Sequence, residues 1–136
     1  MENSFKNFRF AYFSDKYEET CRFLNTDLGF PLEHSWDRND NDKGSVFKAG
    51  HGLIEVLKLP EKGTEYIKGV DYRPPQGAFM VIQTMDVDSL YDKLKAKGHT
   101  FKEEIVDQSW GHRSFSILDP NGVVIMFIQD PFDTEK

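Results

Sequence analysis

A single cysteine, Cys21, stands in the 136 residues. No intramolecular disulfide can form, so the core alone must hold the fold. Basic charge is also in deficit: 17 Lys and Arg face 23 Asp and Glu, for a net charge of −6. That balance excludes nucleic acid, whose phosphates demand basic patches, and argues against an anionic membrane surface. It leaves room for a cationic small molecule. No apolar run is long enough to span a bilayer. The opening residues, MENSFKNFRF, lack the apolar stretch of a signal peptide, so the expected compartment is the cytoplasm. Metal-binding patterns are scarce as well. His34, His51, His99 and His112 are scattered, with no HExxH and no i, i+4 pair. The acidic stretch from Asp37 to Gly44 fails the calcium-loop pattern, because the required glycine position holds Asp42 and no glutamate closes the loop.

What the chain does have is enough apolar material for a real core: 38% hydrophobic and 14% aromatic residues, with 12 Phe. Its length fits one compact domain or two half-domains. Phe8 to Phe13 (FRFAYF) reads as a strand, with Phe8, Phe10 and Tyr12 on one face. Ser14 or Asp15 can cap a helix to about Leu28, on which Tyr17, Cys21, Leu24 and Leu28 form one stripe and Gly29 is the stop. On that stripe Cys21 reads as core packing. Pro31 to Trp36 reads as a strand, 37–44 as a solvated hairpin loop, and Ser45 to Ala49 and Leu53 to Leu59 as two more strands. A charged segment bounded by Pro and Gly follows from Pro60 to Gln76 and reads as a linker.

The order then repeats. Phe79 to Met85 is the next expected strand, Asp86 to Lys97 a helix closed by Gly98, and Thr100 to Ile105 a strand. A hairpin ends the repeat: Arg113 to Leu118, the turn Asp119-Pro120-Asn121-Gly122, and Val123 to Gln129. Phe8 and Phe79, Asp15 and Asp86, and Glu55 and Met126 are each 71 positions apart. An internal repeat of β-α-β-β-β units is a strong architectural signal. Each unit alone leaves one sheet face uncovered, and pairing two units buries it or curls it into a cup.

With Asp15 and Leu28-Gly29-Phe30 in the first half, and Asp86, DVDSLYDKLKAKG, Trp110-Gly111-His112-Arg113 and Asp119-Pro120-Asn121-Gly122 in the second, the chain resembles the vicinal oxygen chelate superfamily. That group takes in the glyoxalases, bleomycin-resistance proteins and extradiol dioxygenases. The resemblance spans roughly Phe8 to Gln129. It implies an α+β fold in which two paired βαβββ modules form an open, cup-shaped mixed β-sheet with flanking helices. The modules are expected at 5–59 and 77–130, making a single domain with a linker at 60–76. It also implies a homodimer, with modules pairing within or between chains. Metal-dependent members place a ligand in the first and last strand of each module. By spacing these places fall on Phe8, Glu55, Phe79 and Met126, of which only Glu55 suits a hard or borderline cation. No metal and no cofactor is therefore expected.

A metal-free cup would bind a small molecule. The expected lining is Phe8, Phe10, Tyr12, Glu55, Phe79, Val81, Gln83, Trp110, Arg113 and Met126, mostly apolar with a few polar groups. Aromatic faces accept a planar ring or a cation. A buried carboxylate at 55 needs a partner, for which Arg113, Arg9, Tyr12 or a cationic ligand qualifies. The first expectation is a binding protein that sequesters a planar aromatic or cationic compound, as the antibiotic-resistance members of the resembled group do. The alternative is a lyase or isomerase in which Glu55 is the catalytic base and Arg113 or Tyr12 stabilises an enolate-like charge. A third is a docking module.

Overall fold

A computed structural model describes residues 4–64, 67–70 and 72–131. Three positions of the expected linker and most of the tail lie outside the described residues. Backbone contacts divide the chain into two units, Met1–Pro74 and Pro75–Lys136. The first contains β1 (Arg9–Ser14), α1 (Tyr17–Arg22), a π-helical turn (Phe23–Asp27), β2 (Leu32–Asn39), β3 (Asp42–Ala49) and β4 (Gly52–Lys58). The second contains β5 (Phe79–Gln83), α2 (Val87–Ala96), β6 (Phe101–Asp107), β7 (Arg113–Leu118) and β8 (Val124–Gln129). The α+β class and the strand-helix-three-strand order of both modules are as the sequence implies.

Each unit holds one open four-stranded mixed sheet, in the orders β1-β4-β3-β2 and β5-β8-β7-β6. β1 runs parallel to β4 and β5 parallel to β8, and the remaining pairs are antiparallel. In both units the helix carries the chain from the first strand, at one edge, to the second, at the other edge, and the meander that follows returns the last strand beside the first, parallel to it. The helix covers one face of its own sheet. In the first, Thr20 bonds Ser14 and Tyr17 bonds Ser45 across that interface. In the second, the Tyr91 ring meets Phe115 at 5.4 Å and Phe101 at 4.5 Å. Leu24, Val56, Leu94, Phe115, Ile125 and Phe127 are fully buried. The opposite face of each sheet carries no helix of its own unit.

The two helices start differently. Asp86 caps α2 as expected, its carboxylate accepting from the Ser89 N–H at 3.1 Å and the Ser89 hydroxyl at 2.7 Å. Gly98, at φ 88°, closes it. For α1 the residue at the cap is Lys16, and no side chain caps it. Ser14 instead turns its oxygen to the Lys16 N–H, and Asp15 caps nothing. The expected single helix to Leu28 is also interrupted, because the Leu28 N–H reaches back five residues to the Phe23 carbonyl. This wide turn absorbs one extra residue. The cap positions Lys16 and Asp86 are 70 apart, whereas the closing glycines, Gly29 and Gly98, are 69 apart. The repeat therefore drifts, and a constant offset of 71 misplaces residues at its start.

The expected loop at 37–44 is mostly strand. β2 runs to Asn39 and β3 starts at Asp42, so the turn between them is two residues long. Side chains close it: Trp36 Nε1 and the Arg38 guanidinium both donate to Asp42, and the Asn39 amide oxygen accepts from the Asn41 N–H. Part of the expected linker is bound as well, since the Tyr72 ring lies 4.3 Å from that of Phe13.

The final turn forms as read. Asp119 is buried, and its carboxylate accepts from the N–H groups of Asn121 and Val123, both at 2.8 Å, and from the Asn121 amide at 3.0 Å. Replacing it leaves buried donors without an acceptor. Asp119→Ala is expected to lower unfolding free energy by about 3 kcal/mol, and Asp119→Asn by about half as much, because one acceptor oxygen survives. Urea titration of the three proteins checks this, and equal losses in both variants would contradict it.

Candidate functional site

Strand register decides which side chains share the helix-free face of each sheet. Paired residues point to the same side, and successive residues alternate. In the first sheet Ala11 pairs with Glu55, Glu55 with Val46, and Val46 with His34. Arg9, Leu53, Leu57, Gly44 and Trp36 follow on the same face by alternation. Phe10 and Tyr12 pair with Ile54 and Val56 and share the other face with Ser45 and Phe47, under α1. They do not continue a face with Glu55, as the sequence reading had them do. Phe8 precedes the strand and is 75% exposed.

In the second sheet Val81 pairs with Met126. Phe79, Val81, Gln83 and Met126 then share the helix-free face, as the alternation of the sequence predicts. Phe79 is 58% exposed and Val81 51% exposed. Ser114 and Ser116 sit beside them on β7, across from Ile128 and Met126. Gln108 donates to Ser114 at 2.8 Å and to Glu103 at 3.0 Å, giving this face a polar margin.

These pairings reassign one of the four ligand places. Ala11 and Val81 occupy equivalent positions, beside Glu55 and Met126. The first-sheet counterpart of Phe79 is then Arg9, not Phe8. Arg9 Nη1 lies 2.9 Å from Glu55 Oε1, with the arginine side chain 49% exposed and the glutamate 14%. The four places thus hold Arg9, Glu55, Phe79 and Met126. A guanidinium repels a cation, phenylalanine has no donor atom, and a thioether suits soft metals. Neither pair, Arg9 with Glu55 in the first unit or Phe79 with Met126 in the second, fits zinc, iron, manganese or nickel. Among the described residues, no group of three His, Cys, Asp or Glu is arranged for a metal ion.

Trp36, which the sequence reading did not count among the lining residues, shares the face of Glu55. Its ring lies flat on Gly44, where a Cβ would come within 2.4 Å of Trp36 Cζ2. Its Nε1 is tied to Asp42 at 2.8 Å, and the His34 ring stacks on it at 5.8 Å and 29°. The indole is therefore fixed as a half-buried plate on the same face as Glu55. The available signal was a tryptophan facing a glycine across a hairpin, which the assumed loop at 37–44 concealed.

Of the remaining expected lining residues, Arg113 is turned away from the helix-free face. The Arg113 guanidinium grips both oxygens of Asp88 at 2.9 to 3.2 Å and Asp107 at 3.1 Å, on the α2-covered side of its sheet. Those two carboxylates hold its proton more tightly than usual. It acts as a clasp between α2, β6 and β7 rather than as the partner of Glu55. Trp110 is 62% exposed in the turn before β7, its Nε1 donating to His112 Nδ1 at 3.1 Å.

The first unit also has two grooves under or beside α1. One, of about 500 Å3, is lined by residues 14–19 with Lys43, Lys58 and Leu59. The other, of about 230 Å3, is lined by Cys21, Arg22, Asn25, Thr26, Leu32, Ser45 and Phe47. Burial raises the Cys21 thiol above its ordinary range, which makes it a poor nucleophile. The neighbouring Tyr17 phenol, 2.6 Å from Ser45 Oγ, is pushed up to about 12, chiefly by burial. The unfolded chain then loses this proton first as pH rises, so stability falls between pH 10 and 12. The expected loss is on the order of 1–2 kcal/mol. Urea unfolding at pH 9 and 11.5 should show a smaller drop for Tyr17→Phe than for the parent chain.

A family model described as Glyoxalase/Bleomycin resistance protein/Dioxygenase superfamily matches residues 8–127. No curated protein matches the chain. Many solved structures do. TioX from Micromonospora sp. ML1 is 18% identical with a TM-score of 0.74, the match covering 92% of this chain and 98% of that one. A member of the glyoxalase/bleomycin resistance protein/dioxygenase superfamily from Sphaerobacter thermophilus DSM 20745 is 19% identical with a TM-score of 0.69, covering 93% and 98%. An integron cassette protein from the mobile metagenome of V. Cholerae is 20% identical with a TM-score of 0.70, covering 95% and 97%. At these identities the likeness is one of fold.

Proposed function

The chain belongs to the Glyoxalase/Bleomycin resistance protein/Dioxygenase superfamily, and from that premise we propose that it is a metal-free small-molecule-binding member. Its ligand is a planar aromatic compound held against the helix-free face of the second sheet. The observation that carries this reading is the face of β5 and β8. Phe79 and Val81 remain more than half exposed beside Met126, while the opposite face of the same strands is packed under α2. Exposed phenylalanine and valine in neighbouring register positions leave apolar surface in water, which a flat ring can cover. Rigid backbone pairing holds them in place, so little ordering cost attends binding.

Of the two ligand classes the sequence suggests, the planar one is favoured over the cationic one. The cationic reading needs a carboxylate in search of a partner, and Glu55 is paired with Arg9. The same pairing weighs against the lyase or isomerase alternative, in which Glu55 is a general base. Its oxygen is engaged, and Arg113, the intended electrophile, is held by Asp88 and Asp107. No described helix is long and apolar enough to cross a membrane.

A thermal-shift screen of fused-ring aromatic compounds tests the proposal. Binders should raise the melting temperature and change Trp36 or Trp110 emission. If no planar compound shifts melting, the reading fails.

A further inference from the structure

One cross-strand row runs over all four strands of the second sheet on its helix-free face: Val81 pairs with Met126, Met126 with Ser116, and Ser116 with Glu103. The row is apolar at the β5 edge and ends in a carboxylate at the β6 edge. We propose that Glu103 is a specificity-determining residue, accepting the ammonium group of an arm carried by the planar compound whose ring lies on Phe79 and Val81. This inference rests on the small-molecule reading and adds to it a second recognition point within the same sheet.

Three observations carry it. First, the partner of Glu103 is neutral. The Gln108 amide donates to Glu103 Oε1 at 3.0 Å and to Ser114 Oγ at 2.8 Å, which uses both of its N–H groups and holds the carboxylate on the helix-free side. Among the described residues no Lys or Arg pairs with Glu103. Its charge is therefore uncompensated, and the residue is exposed. Glu55 differs, being paired with Arg9 in the other unit. Second, the neighbouring Glu104 turns to the α2-covered side, where it accepts from the Tyr91 hydroxyl. Adjacent in sequence, the two carboxylates serve opposite faces, and only Glu103 joins the row. Third, the span of the row describes the ligand. The β5 and β6 edges are three strand spacings apart, roughly 14 Å. A fused ring on Phe79 and Val81, both more than half exposed, covers the apolar end. A short alkyl arm then crosses the uncharged pair Met126 and Ser116 to reach the carboxylate. An ammonium at its end makes a charge-assisted hydrogen bond, about twice as strong as a neutral one. A carboxylate there meets a like charge and is repelled.

The test uses three naphthalene probes of similar shape: 4-(2-naphthyl)butylammonium, 4-(2-naphthyl)butanol and 4-(2-naphthyl)butanoate. Their affinities are measured by calorimetry for the full chain and for Glu103→Gln and Glu104→Gln, each checked for its fold by circular dichroism. The expected order is ammonium, then alcohol, then carboxylate, with the ammonium favoured over the alcohol about fivefold, as an exposed charge pair allows. Glu103→Gln should abolish that preference. Glu104→Gln removes the same charge from the opposite face and should keep it, which separates a local contact from the net negative charge of the chain. Raising salt from about 20 mM to about 0.5 M should shrink the preference of the parent chain, a readout that needs no variant. Any other order of affinities, a preference that survives in Glu103→Gln, an equal loss in Glu104→Gln, or a preference indifferent to salt would each overturn the inference while leaving the small-molecule reading intact. Binding of none of the probes would end both.

Discussion

Phe115→Ala is expected to cost about 4 kcal/mol of unfolding free energy. The side chain is fully buried, and its ring meets Tyr91 at 5.4 Å, Phe101 at 5.5 Å and Phe127 at 5.3 Å. Truncation removes the ring's transfer free energy and leaves a cavity. The neighbours cannot close it, because they are fixed by α2, β6 and β8. Edge-to-face contact with Phe101, at 90°, adds a smaller directional contribution. Urea unfolding reads the loss directly. A change below about 1 kcal/mol would mean that the helix-covered face of the second sheet is not packed as described.

Phe79→Ala should behave in the opposite way. This residue is on the helix-free face and 58% exposed, so removing its ring forfeits little folding energy. The unfolding free energy should move by less than about 0.5 kcal/mol. Affinity for a planar ligand should fall roughly tenfold, since a ring contact of about 1.4 kcal/mol is lost. The pair separates fold from proposed site within one sheet: Phe115 serves the core, and Phe79 is the proposed ring contact. Calorimetric titration of a naphthalene probe into both chains decides. If Phe79→Ala binds as tightly as the parent, the exposed face of β5 takes no part in recognition.

The repeat was legible because strand-helix-strand order and turn chemistry are local. Asp119-Pro120-Asn121-Gly122, the Asp86 cap and the stops at Gly29 and Gly98 each act through groups a few residues away. The faces of β5 and β8 were legible for the same reason: alternation alone aligns Phe79, Val81 and Gln83. The face of β1 was not. Its assignment depends on register against β4, and a one-residue difference there turns every side chain over. The offset of 71 seemed constant, but the π-helical turn and the longer second half shift it. Phe8 was therefore given a place that belongs to Arg9, and Phe10 and Tyr12 a face that belongs to Ala11 and Arg9. The Arg113 assignment failed for a different reason: a basic residue beside the last hairpin looks available until Asp88 and Asp107, distant in sequence or across a strand, are brought against it. Trp36 was hidden by composition, since DRNDNDKG looks solvated even though its side chains tie a two-residue turn.

The proposed binding face works without a metal ion. The most direct measurement is the melting temperature of untagged protein with and without a naphthalene probe, before and after exhaustive dialysis against EDTA, with elemental analysis of the starting material. Arg9, Glu55, Phe79 and Met126 predict the same upward shift in both samples and no stoichiometric metal. A shift that disappears on chelation and returns with zinc, iron, manganese or nickel would contradict it.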